Sequence, residues 1–210
     1  MLIKYLKKLL SAKKFKYSQA GQDLFAYELF GKNGTYIDIG SAQPKIYSNT
    51  YLLEVDYGWR GFGIEIKLEN KKKWSLCPER KNKIYWTDAL NFNYQEALKE
   101  NKITTDIDFL SCDIDPQENT FLALKKVINE NIRPKLITFE HDKYKEKKDY
   151  DILAREFLLP RNYKIGIENV YSSFKKKKIF ETWFVREDIA FPSSQYINWI
   201  EEKKEFFNFL

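Results

Sequence analysis

Cysteine and histidine are nearly missing from this 210-residue sequence, which has Cys77, Cys112 and a single His141. The two cysteines lie far apart, outside any Cys-x-x-Cys or Cys/His spacing. That excludes a disulfide framework and a structural zinc site of the usual type, and it fits a reduced, cytoplasmic setting (the host cytoplasm for a viral chain). No apolar stretch approaches the roughly 20 residues needed to cross a bilayer. The first residues do not read as a signal peptide, because lysines interrupt what would be its apolar region. Glycine-rich phosphate loops are missing too: there is neither Gly-x-G-x-x-Gly nor Gly-x-x-x-x-Gly-Lys-Ser/Thr. Holding phosphates takes several free backbone amides, so NAD and ATP are both disfavoured. Repeats and low-complexity linkers are not found either. The expected organisation is a short N-terminal segment over 1–16 followed by a single domain over 17–210.

The positive charge is concentrated. Residues 1–16 hold Lys4, Lys7, Lys8, Lys13, Lys14 and Lys16 with no acid, and account for the whole formal net charge of +6. The remaining body is neutral, so no general nucleic-acid-binding surface is expected. The runs Lys71–Lys73 and Lys175–Lys178 read as solvated loops. Leu2, Leu6, Leu9 and Leu10 share one face of a basic amphipathic helix, with Lys4, Lys7 and Lys8 around the other. That helix is expected to pack on the domain or on another copy, with weak contact to an anionic membrane surface as the alternative. The aromatic share of 17% is high; rings fill cores, and also line clefts for sugars and bases.

What is present is an alternation. A helix over 21–30 precedes a strand over 35–40, and a helix over 50–57 leads through a Gly-Trp-Arg-Gly turn to a strand over 62–66. A polar helix over 69–76, a strand over 83–86 and a helix over 94–101 follow. Then come a strand over 107–113, a helix over 119–131, a strand over 135–140 and a helix over 150–159 stopped by Pro160. Strands alternating with helices at this spacing predict right-handed βαβ units in a parallel sheet covered on both faces. The grammar then changes to two strands, 163–170 and 179–185, joined by a short loop. This is a hairpin that brings an antiparallel strand to the end of the sheet.

In such a sheet, ligands bind beyond the carboxyl ends of the strands. Asp38, Glu65, Asp113 and Glu140 end four of the strands, and Asp88 lies just past another. A half-buried carboxylate is costly unless something pairs with it, so acids at this many strand ends point to a ligand. Glu65 stands where a doubly wound nucleotide site places the carboxylate that grips ribose hydroxyls. Asp88 is suited to accept from an adenine amino group, and Gly40 lets the first strand-to-helix turn approach a cofactor closely. The following Ser41-Ala-Gln-Pro44 is no phosphate cradle. A cofactor without phosphate, held by ribose hydroxyls and charge, fits better.

Several stretches resemble FkbM-like class I S-adenosylmethionine-dependent methyltransferases. They are Ser18-Gln-Ala-Gly-Gln-Asp23, Gly34-Thr-Tyr-Ile-Asp-Ile-Gly40, Ser48-Asn-Thr50, Gly58-Trp-Arg-Gly61, Gly63-Ile-Glu65, Asp108-Phe-Leu-Ser-Cys-Asp-Ile-Asp115 and Ile137-Thr-Phe-Glu-His-Asp142. The resemblance runs over about residues 17–185, and departs at Ser41–Pro44, where the family usually has a second glycine. It implies the Rossmann-like α/β fold of that class, a doubly wound, mostly parallel seven-stranded sheet with an antiparallel C-terminal hairpin strand. It also implies S-adenosylmethionine bound over Asp38, Gly40, Glu65 and Asp88, with Gln19, Gln22 and Asn49 at the methionine end. The acceptor it implies is a hydroxyl of a sugar, glycan or small molecule.

Methyl transfer from a sulfonium needs the acceptor oxygen aligned, water excluded and a proton removed. His141 and Asp113 are the candidate catalytic residues, with His141 as the candidate general base. A divalent cation, Mg²⁺ or Mn²⁺, held by Asp113, Asp115, Glu140 and His141 is the other device available. Two other classes stay open: a glycosyltransferase holding a nucleotide sugar through a cation on Asp113 and Asp115, and a non-catalytic methyltransferase-like binding module.

Overall fold

The computed structural model describes residues 17–145, 147–171 and 178–190. The N-terminal helix expected over 1–16 lies outside them, as do Lys175–Lys177. Seven strands form one sheet: β1 (Thr35–Ile39), β2 (Arg60–Glu65), β3 (Lys83–Trp86), β4 (Phe109–Cys112), β5 (Leu136–Glu140), β6 (Tyr163–Tyr171) and β7 (Ile179–Arg186). Their order is β3-β2-β1-β4-β5-β7-β6. The first five are parallel, while β7 runs antiparallel to both β5 and β6. The expected architecture is therefore present, with the returning arm of the hairpin, rather than the outgoing one, against β5.

The helices are α1 (Gln22–Phe30), α2 (Tyr51–Tyr57), α3 (Lys71–Ser75), α4 (Tyr94–Glu100), α5 (Gln117–Asn129) and α6 (Tyr150–Leu158). Local chemistry sets their limits. The Asn93 side chain caps α4 by accepting from the Glu96 amide, and Asp149 caps α6 by accepting from Ile152. Gly58, with φ 70°, ends α2 in the left-handed conformation that a residue with a Cβ resists. The polar helix expected over 69–76 is a 3₁₀ turn, Leu68–Asn70, followed by five α-helical residues, none of them buried. A segment with three successive lysines has too little apolar surface to hold a longer helix on the sheet.

Side chains alternate across a strand, so each face has its own core. Ile37, Leu110, Ile137 and Phe184, in register across β1, β4, β5 and β7, meet Ala97, Leu98, Leu124, Val127 and Leu158 of α4, α5 and α6. Tyr36, Phe109, Leu136 and Val185 on the other face meet Phe25 and Ala26 of α1 and Leu53 of α2.

Candidate active site at the carboxyl edge of the sheet

The same alternation sorts the acids. Asp38 is in register with Ser111, Ser111 with Thr138, and Thr138 with Trp183, all on the α1 and α2 face. Two residues on from this row, at the carboxyl edge, come Glu65, Gly40, Asp113, Glu140 and Glu181, with Glu140 paired to Glu181. One face thus gathers every strand-end acid that the sequence singled out, plus Glu181 from β7. All of these carboxyl groups except Asp113 are buried.

The side where the sequence places a cofactor is built on the turn after β1. Gly40 has φ 87°, and a Cβ there would stand 1.7 Å from the Asp113 carbonyl oxygen. The missing side chain makes room for the neighbouring β4 backbone, so Gly40 is needed by the sheet before it is needed by any cofactor. Ser41 Oγ donates to the Asp38 carbonyl at 2.8 Å, and a Cβ on Gly63 would stand 2.3 Å from that hydroxyl. Asp38 Oδ2 accepts from Thr50 Oγ1 at 2.9 Å, and burial raises its pKa against the opposing pull of Arg80. Asp38 supports the loop from below.

Asn49 donates through Nδ2 to Ser111 Oγ at 3.0 Å. Its Oδ1 is buried with no hydrogen-bond partner among the described residues. A buried acceptor in that condition costs free energy until a donor meets it. Glu65 is 5% exposed and accepts from the Lys67 amide through Oε1 at 2.6 Å. Beside it Ile66 and Leu68 are 60% and 63% exposed, an apolar ledge that nothing in the sequence set apart from strand residues.

Other expected donor-site residues are occupied. The Asp88 carboxylate accepts from the Leu90 amide at 2.9 Å and from Asn91 Nδ2 at 2.8 Å, which fastens its own turn. Gln22 is buried: its Nε2 donates to both Glu181 oxygens, at 2.9 and 3.0 Å, and its Oε1 accepts from the Ala20 amide. It buttresses the 18–22 turn on β7 instead of presenting its amide to a ligand. Gln19 lies half-buried in that turn.

Between β4 and β5 the edge carries a carboxyl pair. Glu140 is hydrogen-bonded to Asp113, and burial, followed by the Asp113, Glu181 and Asp142 charges, holds its pKa far above the carboxylate range. Glu140 therefore keeps the proton that the pair shares. Glu181 is pushed up to about 8 by burial, opposed by hydrogen bonds from Trp183 Nε1 and Gln22. Asp142, also buried, is paired with Lys145.

His141 does not join this group. One residue beyond Glu140, it falls on the opposite face, where its Nδ1 accepts from the Lys143 amide at 3.3 Å and its Nε2 lies 3.3 Å from Thr182 Oγ1. That hydroxyl in turn donates to Asp151 Oδ1 at 2.8 Å, so the hydrogen-bond chain assigns the proton to Nε2. The ring is fully buried, and burial lowers its pKa. The structure therefore places His141 within this hydrogen-bond chain, on the opposite face from Glu140. Asp115 is exposed. Consequently the ligand set Asp113, Asp115, Glu140 and His141 is not assembled, and among the described residues no group of three or more His, Cys, Asp or Glu side chains is placed to hold a metal ion. The residues as placed do not fit the expected Mg²⁺ or Mn²⁺.

Two residues of this region escaped the sequence reading. Glu181 was visible in principle, as a lone acid between Phe180 and Trp183 in an apolar strand. Arg80 sits in the polar run Pro78–Asn82 and gave no signal.

No protein-family model matches the sequence, and no curated protein matches it. Solved structures do. The small RNA methyltransferase HEN1 superposes with TM-score 0.55 at 15% identity, over 86% of this chain, which spans only 26% of that one. Aeropyrum pernix fibrillarin, in complex with natively bound S-adenosyl-L-methionine, gives TM-score 0.53 at 14% identity over 80% of this chain and 74% of its own. An rRNA methylase from Streptococcus thermophilus gives TM-score 0.53 at 8% identity over 83% and 99%. At these identities the likeness is one of fold: the chain is built on the Rossmann-like architecture of the class I S-adenosylmethionine-dependent methyltransferases.

Proposed function

We propose that this chain is an S-adenosylmethionine-dependent O-methyltransferase of the FkbM-like kind, acting on a hydroxyl of a sugar or glycan. The observation that carries the donor assignment is the orphaned amide oxygen of Asn49, buried beside Ser111 on the same face as Glu65. A ligand that brings an ammonium donor to Asn49 and a pair of ribose hydroxyls to Glu65 satisfies both. When bound, the sulfonium supplies an electrophilic methyl carbon, which an acceptor oxygen attacks in line while the carbon–sulfur bond breaks.

The chain's own residues do the rest. Glu65 accepts the ribose hydroxyls, and Asn49 Oδ1 accepts from the ammonium group. The exposed ledge of Ile66 and Leu68 offers an apolar floor for the adenine. Asp113, the half-buried member of the carboxyl pair, takes the acceptor proton, while Glu140 keeps the shared proton and holds Asp113 in place by hydrogen bonding to it. This assigns the base role to Asp113 alone, without His141 and without a metal.

Methyl transfer to RNA is the second reading, favoured by what the fold neighbours are named for. The neutral charge of the body beyond residue 16 speaks for an uncharged acceptor. Calorimetric titration with S-adenosylhomocysteine tests the donor reading. Micromolar binding, weakened at least tenfold in Glu65→Ala and unchanged by EDTA, is expected; no binding by the wild type overturns it. Tritium transfer from labelled S-adenosylmethionine to glycan or to RNA fractions then separates the two acceptor readings.

A further inference from the structure

Beyond Gly40 the turn after β1 has no second glycine over Ser41–Pro44, and its form comes from outside. Trp74 Nε1 donates to the Ala42 carbonyl at 3.3 Å, where Ala42 has φ 27°. Arg80 NH1 donates to the Pro44 carbonyl at 2.9 Å and to Ser48 Oγ at 3.0 Å, and its NH2 donates to Thr50 Oγ1 at 3.1 Å. Glu79 accepts from Tyr51 at 2.8 Å and pairs with Lys45 at 3.4 Å. The Arg80 side chain is 2% exposed, pairs with Glu54 of α2 at 2.7 Å, and lies over the Trp74 ring at 4.7 Å. Its guanidinium thus reaches both ends of the segment that delivers Asn49, and the same Thr50 hydroxyl that it contacts holds Asp38.

We infer that Arg80, with Trp74, is a positioning residue for the donor site: a clamp from the segment 74–80 that fixes the shape of the 42–50 loop, which has no second glycine of its own. The inference rests on the donor reading above, in that the loop is taken to hold S-adenosylmethionine through Asn49. Planar bidentate reach explains an arginine here, since a lysine ammonium cannot satisfy Pro44, Ser48 and Thr50 while paired with Glu54.

Two readouts test it, one of them independent of the ligand. Lys45 has a side chain 48% exposed beside the 59%-exposed Ile46, so trypsin cleavage there reports on the loop. Arg80→Met is expected to quicken cleavage after Lys45 at least fivefold and to weaken S-adenosylhomocysteine binding at least tenfold, with circular dichroism kept. Arg80→Lys is expected to fall between. If Arg80→Met does not fold, Trp74→Phe removes the hydrogen bond to Ala42 and reduces the ring under Arg80, and is expected to give the same two changes at a severalfold level. A folded Arg80→Met, or in its absence Trp74→Phe, with wild-type cleavage and wild-type affinity overturns the clamp. Wild type that binds no S-adenosylhomocysteine overturns the donor reading instead, and the clamp then stands or falls on the Lys45 cleavage rate alone.

Discussion

A side chain's place on a strand decides its chemistry here by the parity of its number. Glu140 and His141 are neighbours in sequence, yet one enters the carboxyl row and the other is sealed beneath α6 against Thr182 and Asp151. His141→Asn removes a buried ring and its contacts without touching the donor side. It is expected to lower unfolding free energy by about 1–3 kcal/mol in urea melts, the usual cost of losing buried hydrogen bonds and packing, while S-adenosylhomocysteine affinity stays within twofold. A loss of methyl transfer with stability intact would return His141 to the site as a base. The acids at strand ends were legible in the sequence because burial of a carboxylate is costly enough to be informative. The face taken by His141 was not, because a strand of uncertain length does not fix which face its last residue takes. Arg80 was less legible still: its partners Ser48, Thr50 and Glu54 are 26 to 32 residues away, and only the fold brings them together.

Among the elements, the sheet and its helices follow the apolar alternation closely, since each strand's buried faces and each helix's stripe are written locally. What the pattern left open was which arm of the hairpin meets β5, a choice made by the fit of Phe180, Trp183 and Phe184 into both cores. The contact between β2 and the first turn shows a similar dependence on fit. Gly63 faces Ser41 so closely that Gly63→Ala must displace its hydroxyl, whose own bond to Asp38 resists. Gly63→Ala is therefore expected to destabilise by about 1–3 kcal/mol, as overpacking does. Adding Ser41→Ala should recover more than half of that loss, a coupling that a double-mutant cycle of urea melts reads directly. Additive effects would mean that Gly63 is required for some reason other than the serine.

For the molecule as a whole, concentrating acids on one sheet face links stability to pH in an unusual direction. Asp38, Glu140 and Glu181 all have native pKa values raised above their free values, by burial first. For Glu181 the rise is from 4.5 to about 8. Between those two values the folded chain binds a proton that the unfolded chain has released. Stability is therefore largest at the acid end of this window and declines as pH rises through it. Other groups oppose the trend at lower pH: His141, whose pKa is lowered by burial, and the carboxylates Glu79, Glu100, Asp149 and Asp188, each held below its ordinary value, all favour unfolding as pH falls. His141 acts below about 6.5 and these carboxylates only below the ordinary carboxylate range, so the decline dominates from about pH 6.5 to 8. Urea melts across that interval are expected to show stability falling with pH in the wild type. In Glu181→Gln, which cannot ionise, the fall should be shallower by up to about 1.4 kcal/mol per pH unit. Parallel curves for the two proteins would mean that Glu181 keeps its charge in the fold, sustained by Gln22 and Trp183; the acid row would then carry more negative charge at neutral pH than burial alone allows, and a cationic ligand would be drawn to it more strongly.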